Sequence, residues 1–149
     1  MEQKTIWMRY LTFGLIISII LLFISCRKTH FLNSGEFVFV NKTNYNITYD
    51  QVNLQKFNVV ANGITVFPTS FDGGKDLNPA SYLSPLMGLS SGLVNIQFGA
   101  NKCLLKQNQN SENSILNIKS FVSEKLGIGK YKFTYTFTDA DYNRAVTCP

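Results

Sequence analysis

The sequence predicts an all-β protein, a single antiparallel sandwich of about seven or eight short strands behind an apolar N-terminal segment, and three observations carry that prediction. Tyr131, Phe133, Tyr135 and Phe137 alternate with Lys132, Thr134, Thr136 and Thr138, a period of two that gives one aromatic and one polar face. The other apolar segments of the body are short and rich in aromatic or β-branched residues, and clusters of Gly, Pro, Asn and Asp separate them. A chain of 149 residues, 45% hydrophobic and only 15% charged, has room for one compact domain and is neither a disordered tail nor a rod. Sixteen of the first 25 residues are hydrophobic against about 41% of the rest, so the body has an ordinary core that buries roughly 65% of the unfolded surface.

The N-terminal segment carries an address. Lys4 and Arg9 precede an apolar run of 15 residues, Tyr10 to Ile24, which is followed by Ser25 and Cys26; this is the three-part layout of a secretory signal. A bilayer core of about 30 Å needs roughly 20 helical residues, so the run is short for a permanent span. Phe23-Ile24-Ser25-Cys26 resembles a bacterial lipobox, in which a small residue precedes a Cys that receives a diacylglyceryl thioether and becomes the new N-terminus. Phe23 stands where Leu is usual. The resemblance implies that residues 1–25 are a lipoprotein signal helix, that Cys26 is the lipid attachment point, and that residues 26–35 are the lipidated Cys and a polar tether ahead of a sandwich at residues 36–149. An uncleaved anchor starting at Ile6 and an ordinary cleaved signal are the other readings. Two or three acyl chains would hold the protein to a membrane at about 0.8 kcal/mol per buried methylene. Arg27 and Lys28 either lie against anionic headgroups, for about 1 kcal/mol each, or are simply solvated.

The expected strands are Glu36 to Val40, Asn46 to Tyr49, Phe57 to Val60, Ile64 to Phe67, Leu93 to Phe98, Lys102 to Lys106, Ile115 to Phe121 and Lys130 to Thr138. Asn41-Lys42-Thr43-Asn44 is a compact turn, and Ala61-Asn62-Gly63 joins two apolar runs as a hairpin loop would. Between Thr69 and Ser91 the pattern dissolves into Asp72-Gly73-Gly74, Asn78-Pro79 and Ser84-Pro85 among apolar residues. A loop of that length packs or binds something. Its Phe71, Tyr82, Leu83, Leu86 and Met87 either cap one end of the sandwich or form an exposed docking loop for a partner. Gln107 to Ser114 is a polar surface loop, and Val122 to Gly129 accommodates one helical turn before the final strand.

With Cys26 assigned to lipid, Cys103 and Cys148 remain, and an even pair in an oxidising compartment predicts a disulfide. Closing a loop of about 46 residues would stabilise the fold by roughly 4 kcal/mol in the chain-entropy treatment. Two buried free thiols are the alternative. Thr138-Asp139-Ala140-Asp141 has capping-box spacing and predicts a short helix through Ala145. Asp139, Asp141 and Asn143 also imitate the first half of a calcium loop, but Arg144 stands where that loop needs Gly and no bidentate Glu follows.

Asn41-Lys42-Thr43-Asn44 after an opening strand, Ile96-Gln97-Phe98 leading to Lys102-Cys103, and Tyr135-Thr136-Phe137-Thr138-Asp139-Ala140-Asp141-Tyr142 near the end resemble small outer-membrane lipoproteins of Bacteroidota. The resemblance implies an immunoglobulin-like sandwich of unassigned function and transfers no catalytic residue. By the resemblance, a residue other than Asp after Cys26 implies outer-membrane sorting, facing the periplasm or the cell surface, and the missing acidic run favours the periplasm.

The chemistry that is absent restricts function further. His30, the one histidine, lies four residues from Cys26, with no rigid support for a catalytic triad. No Gly-x-Ser-x-Gly elbow, phosphate loop or His-Glu-x-x-His helix occurs, and Gly127-x-Gly129-Lys130 is too brief to cradle a phosphate. No catalytic residue, cofactor or metal ligand is therefore assigned. Lys4, Arg9 and Glu2 fall in the signal, leaving 12 basic and 8 acidic residues in the body. Apart from Arg27-Lys28 the cations are isolated, which argues against nucleic acid and suits an anionic membrane or envelope glycan. The expectation is a non-enzymatic, lipid-anchored binding or accessory protein docking on an envelope protein. The alternatives are a small glycan-binding protein or hydrolase working through carboxylates, and an immunity lipoprotein.

Overall fold

The computed structural model describes residues 31–49, 57–86 and 94–149, and the described residues form one all-β unit of two sheets. In chain order the elements are β1 (Phe31–Asn41), β2 (Ile47–Tyr49), β3 (Phe57–Val59), β4 (Ile64–Gly73), β5 (Val94–Phe98), β6 (Lys102–Gln107), β7 (Val122–Gly127), β8 (Lys130–Phe137), a helix α1 (Asp139–Arg144) and β9 (Val146–Thr147). One sheet has the order β4-β1-β8-β7 and the other β3-β2-β5-β6-β9.

The alternation read in β8 sets the register of the core. Tyr131, Phe133, Tyr135 and Phe137 are all buried, and the Lys and Thr residues between them face outward. β1 lies beside β8 with Phe37 opposite Phe133 and Phe39 opposite Tyr135. The Phe37 and Phe133 rings stack at 4.8 Å, and Phe39 meets Phe57 of the other sheet edge-on at 5.0 Å. Such pairs add about 0.5–1.5 kcal/mol each beyond the area they bury. The filling between the sheets is therefore largely aromatic.

Four expectations are corrected. First, the sandwich is not wholly antiparallel: β1 and β8 run parallel, while β1 and β4 run antiparallel. The first strand sits between the fourth and the eighth. Parallel neighbours need a long crossover, and here nearly the whole domain provides it. Second, β1 starts at Phe31 rather than Glu36, so residues 31–35 belong to the sheet and not to the tether; they pair with Thr69 to Gly73 of a β4 that is longer than expected. Asn33 is buried there because its side-chain amide donates to the Gly74 carbonyl at 3.2 Å. Third, Ala61-Asn62-Gly63 is not a hairpin loop. It carries the chain from β3 in one sheet to β4 in the other, with Asn62 in the left-handed region (φ 56°) and Gly63 N–H donating to Val60 O at 2.9 Å.

Fourth, residues 115–121 are not a strand. Asn117 Oδ1 accepts from Lys119 N–H at 3.1 Å and Ser114 Oγ accepts from Leu116 N–H at 3.2 Å, which gives to side chains the donors that a ladder would need. Ile118–Ser120 coils into a 3-10 turn, and Ile115, Leu116 and Phe121 plug the core from it. The strand lies just downstream as β7, where one helical turn was expected; β7 is an edge strand with no buried residue.

Candidate functional site at the two ends of the sandwich

β1 and β8 run the same way, so the sandwich has a first end, where both strands start, and a second end, where both stop. β1 is 11 residues long and separates the ends by roughly 33 Å.

The second end is organised by Asn41. This buried side chain donates through Nδ2 to the carbonyls of Tyr45 (2.7 Å) and Val60 (2.9 Å), and its Oδ1 accepts from both N–H and Oγ1 of Thr43 (2.9 and 2.8 Å). The turn so held presents Tyr45, whose exposed ring stacks on Tyr142 of α1 with centroids 4.0 Å apart and planes 7° from parallel. Lys102 Nζ lies 4.4 Å from the centre of the Tyr142 ring, a cation–π contact. The hydrogen bond to Tyr142 pushes the Tyr45 hydroxyl above the ordinary tyrosine pKa.

Next to this platform, Asn113, Ser120, Tyr135, Thr138, Asp141 and Arg144 line a cleft of about 330 Å³. α1 has the expected capping carboxylate: Thr138 N–H donates to Asp141 Oδ2 at 2.9 Å. Arg144 donates to Asp141 Oδ1 at 2.7 Å and to the Asn113 carbonyl at 2.9 Å, and Tyr135 O–H donates to that same carbonyl at 2.6 Å. Burial raises the Tyr135 hydroxyl well above the ordinary tyrosine range, so it stays a protonated donor. The cleft thus presents a guanidinium and hydroxyls around one carboxylate whose oxygens are already engaged. It does not offer the facing pair of carboxylates that glycoside cleavage requires.

Asp139, Asp141 and Asn143 do not form a calcium loop. They lie on a helix, with Asp141 buried and bound by Arg144 while Asp139 and Asn143 are exposed, so their oxygens do not converge. Among the described residues no three His, Cys, Asp or Glu side chains gather at a metal-binding distance, and no helix is long and apolar enough to cross a membrane. Cys103 and Cys148 are joined as a disulfide with Cα atoms 5.0 Å apart, tying β6 to the residue after β9.

At the first end the docking-loop residues separate. Tyr82 and Leu86 are buried, and Phe71 packs half-buried against the core, its ring edge-on to Tyr82 at 5.1 Å. Tyr82 O–H donates to the Gly129 carbonyl at 3.0 Å, and burial raises this hydroxyl's pKa. All three cap the sandwich, and Tyr82 and Leu86 have no surface to offer a partner. Leu83 is exposed. Met87, Cys26 and His30 lie outside the described residues.

Sequence reading did not find the Tyr45–Tyr142–Lys102 platform or the Arg144–Asp141–Asn113 cluster. Their members are dispersed along the chain, and only the capping-box spacing of Thr138 and Asp141 pointed to either. No protein family, curated protein or solved structure matches the chain.

Proposed function

We propose that the protein is a lipid-anchored binding or accessory module of a bacterial cell envelope, held by acylated Cys26 and presenting the second end of its sandwich to another envelope protein. One observation carries this reading. β1 begins five residues after Cys26 and runs the length of the domain, so an anchor at its start leaves the Tyr45–Tyr142 platform and the Arg144 cleft projecting away from the membrane. The disulfide supports export to an oxidising compartment. Tyr45 and Tyr142 at the surface and an Arg at a cleft rim are residue types enriched where proteins dock. The module is non-enzymatic, and its place is the outer membrane, facing the periplasm.

Intact mass of the detergent-extracted protein tests the anchor. An acylated chain starting at Cys26, with two further thiols alkylated only after reduction, is the expected result; a full-length unacylated chain with three free thiols overturns it. Crosslinking in intact cells tests the docking end. Tyr45→Ala and Tyr142→Ala should remove the crosslinked species that the parent protein forms, and an undiminished species in both variants rejects this end as the docking site.

The stacked tyrosines favour one other reading, a glycan-binding module, since aromatic faces pack against sugar rings. Retention on envelope polysaccharide that Tyr45→Ala abolishes would select it over a protein partner.

A further inference from the structure

The first end of the sandwich gathers exposed apolar side chains among the cations Lys75, Lys125 and Lys130 and the exposed Asp72 and Asp76, a net positive rim, and that combination needs an occupant. β1 starts there, β4 stops there, and the β7–β8 hairpin turns there: Leu32 pairs with Asp72, Ser34 N–H donates to Gly129 O at 2.8 Å, and Asp76 on the following loop holds Lys125 Nζ at 2.6 Å. Leu32 (66% exposed), Leu83 (65%), Leu126 (53%) and Ile128 (64%) all lie on these segments. Leu126 and Ile128 flank Gly127 where the β7–β8 hairpin turns. Lys75 and Lys130 are exposed beside them.

We infer that this end is a membrane-contacting surface, whose Leu126–Ile128 tip with Leu32 and Leu83 enters the headgroup–acyl boundary of an anionic bilayer while Lys75 and Lys130 meet phosphate groups. The inference rests on the anchoring at Cys26 proposed above and adds an orientation to it. Five residues from Cys26 to Phe31 reach at most about 18 Å, which keeps the start of β1 close to any bilayer that holds the acyl chains. Apolar side chains held that near lipid are placed at high effective concentration against it. Lys on the rim supplies about 1 kcal/mol each beside anionic lipid, and partitioned leucine and isoleucine side chains add to that. The surface explains why a hairpin tip carries Leu and Ile, which are costly to leave in water, with glycines on either side of Ile128.

The experiment uses the full chain, expressed and processed in a bacterial host, then reconstituted into vesicles of zwitterionic and anionic phospholipid. Trp7 is the only tryptophan and lies in the expected signal, so a mature chain has none and a single introduced indole reports on its own site. Ile128→Trp and Leu83→Trp replace exposed residues, and Val146→Trp places the control at the opposite end. With lipids brominated along the acyl chain, an indole about 5–10 Å inside the boundary should lose about half its emission and shift to the blue. Val146→Trp should lose none. An acylated protein whose indoles at 128 and 83 both keep full emission overturns the contact and leaves the anchor standing. Equal quenching at 146 overturns the orientation, and a mass without acyl chains overturns anchor and contact together.

Discussion

Asn41 holds three stretches of chain with one side chain, and its place in an Asn-Lys-Thr-Asn run gave it the appearance of an ordinary turn residue. Its role depends on carbonyls of residues 59 and 60, which only the folded chain brings to it. Truncation removes the acceptor of the Thr43 N–H and the amide that joins the Tyr45, Val59 and Val60 carbonyls, so Asn41→Ala should cost about 2–4 kcal/mol in urea unfolding. A cost near zero would mean that water replaces the amide. Gly129 makes a second residue-scale test. Its φ of +63° disfavours any Cβ, and a Cβ there would stand 2.6 Å from Asn33 Oδ1. Gly127, two residues away, has 3.9 Å of clearance to Lys130. Gly129→Ala should therefore lower stability by about 1–3 kcal/mol, and Gly127→Ala by clearly less, in parallel thermal melts.

At the scale of elements most strands were legible, the edge strands β3 and β4 among them, and β7 was not. β8 declares itself through four inward aromatic rings, whereas β7, exposed along its length, has no alternation to detect. The reverse error occurred at residues 115–121, where apolar side chains imitate a strand yet enter the core from a coiled turn. The β7–β8 hairpin is instead tied by Asp76, which accepts from Lys125 and from Gly129 N–H. Those bonds hold the Asp76 carboxyl below the ordinary aspartate value of 3.8 and raise the Lys125 ammonium. A depressed acid contributes fully above 3.8 and loses its contribution as pH falls through the lowered value. Amide exchange at Gly129 should accelerate over that acidic window, relative to neighbouring amides. In Asp76→Asn the pH dependence should vanish, and its persistence would assign the acid sensitivity to another group.

For the molecule as a whole, the disulfide and the two-ended layout matter most. The Cys103–Cys148 bond ties the C-terminal residues to β6 across 45 positions. Replacing both cysteines by serine should lower the unfolding free energy by up to about 4 kcal/mol, a drop that reductant reproduces in the parent protein and leaves absent in the variant. Composition and period-two alternation were enough to determine an all-β sandwich, its inward aromatic face on β8 and the capped helix after Thr138, because each of these depends on neighbours in sequence, whereas the Cys103–Cys148 pairing was expected only once Cys26 had been set aside as the lipid carrier. Tertiary structure alone decided that β1 lies parallel to β8, that Tyr82 and Leu86 are core rather than surface, and that Tyr45, Tyr142 and Lys102 meet in one platform. The physical reason is the same in each case: strand order and burial of a loop follow from contacts between residues 40 to 100 positions apart, and a linear pattern carries no record of which distant segment will supply the other half of the contact.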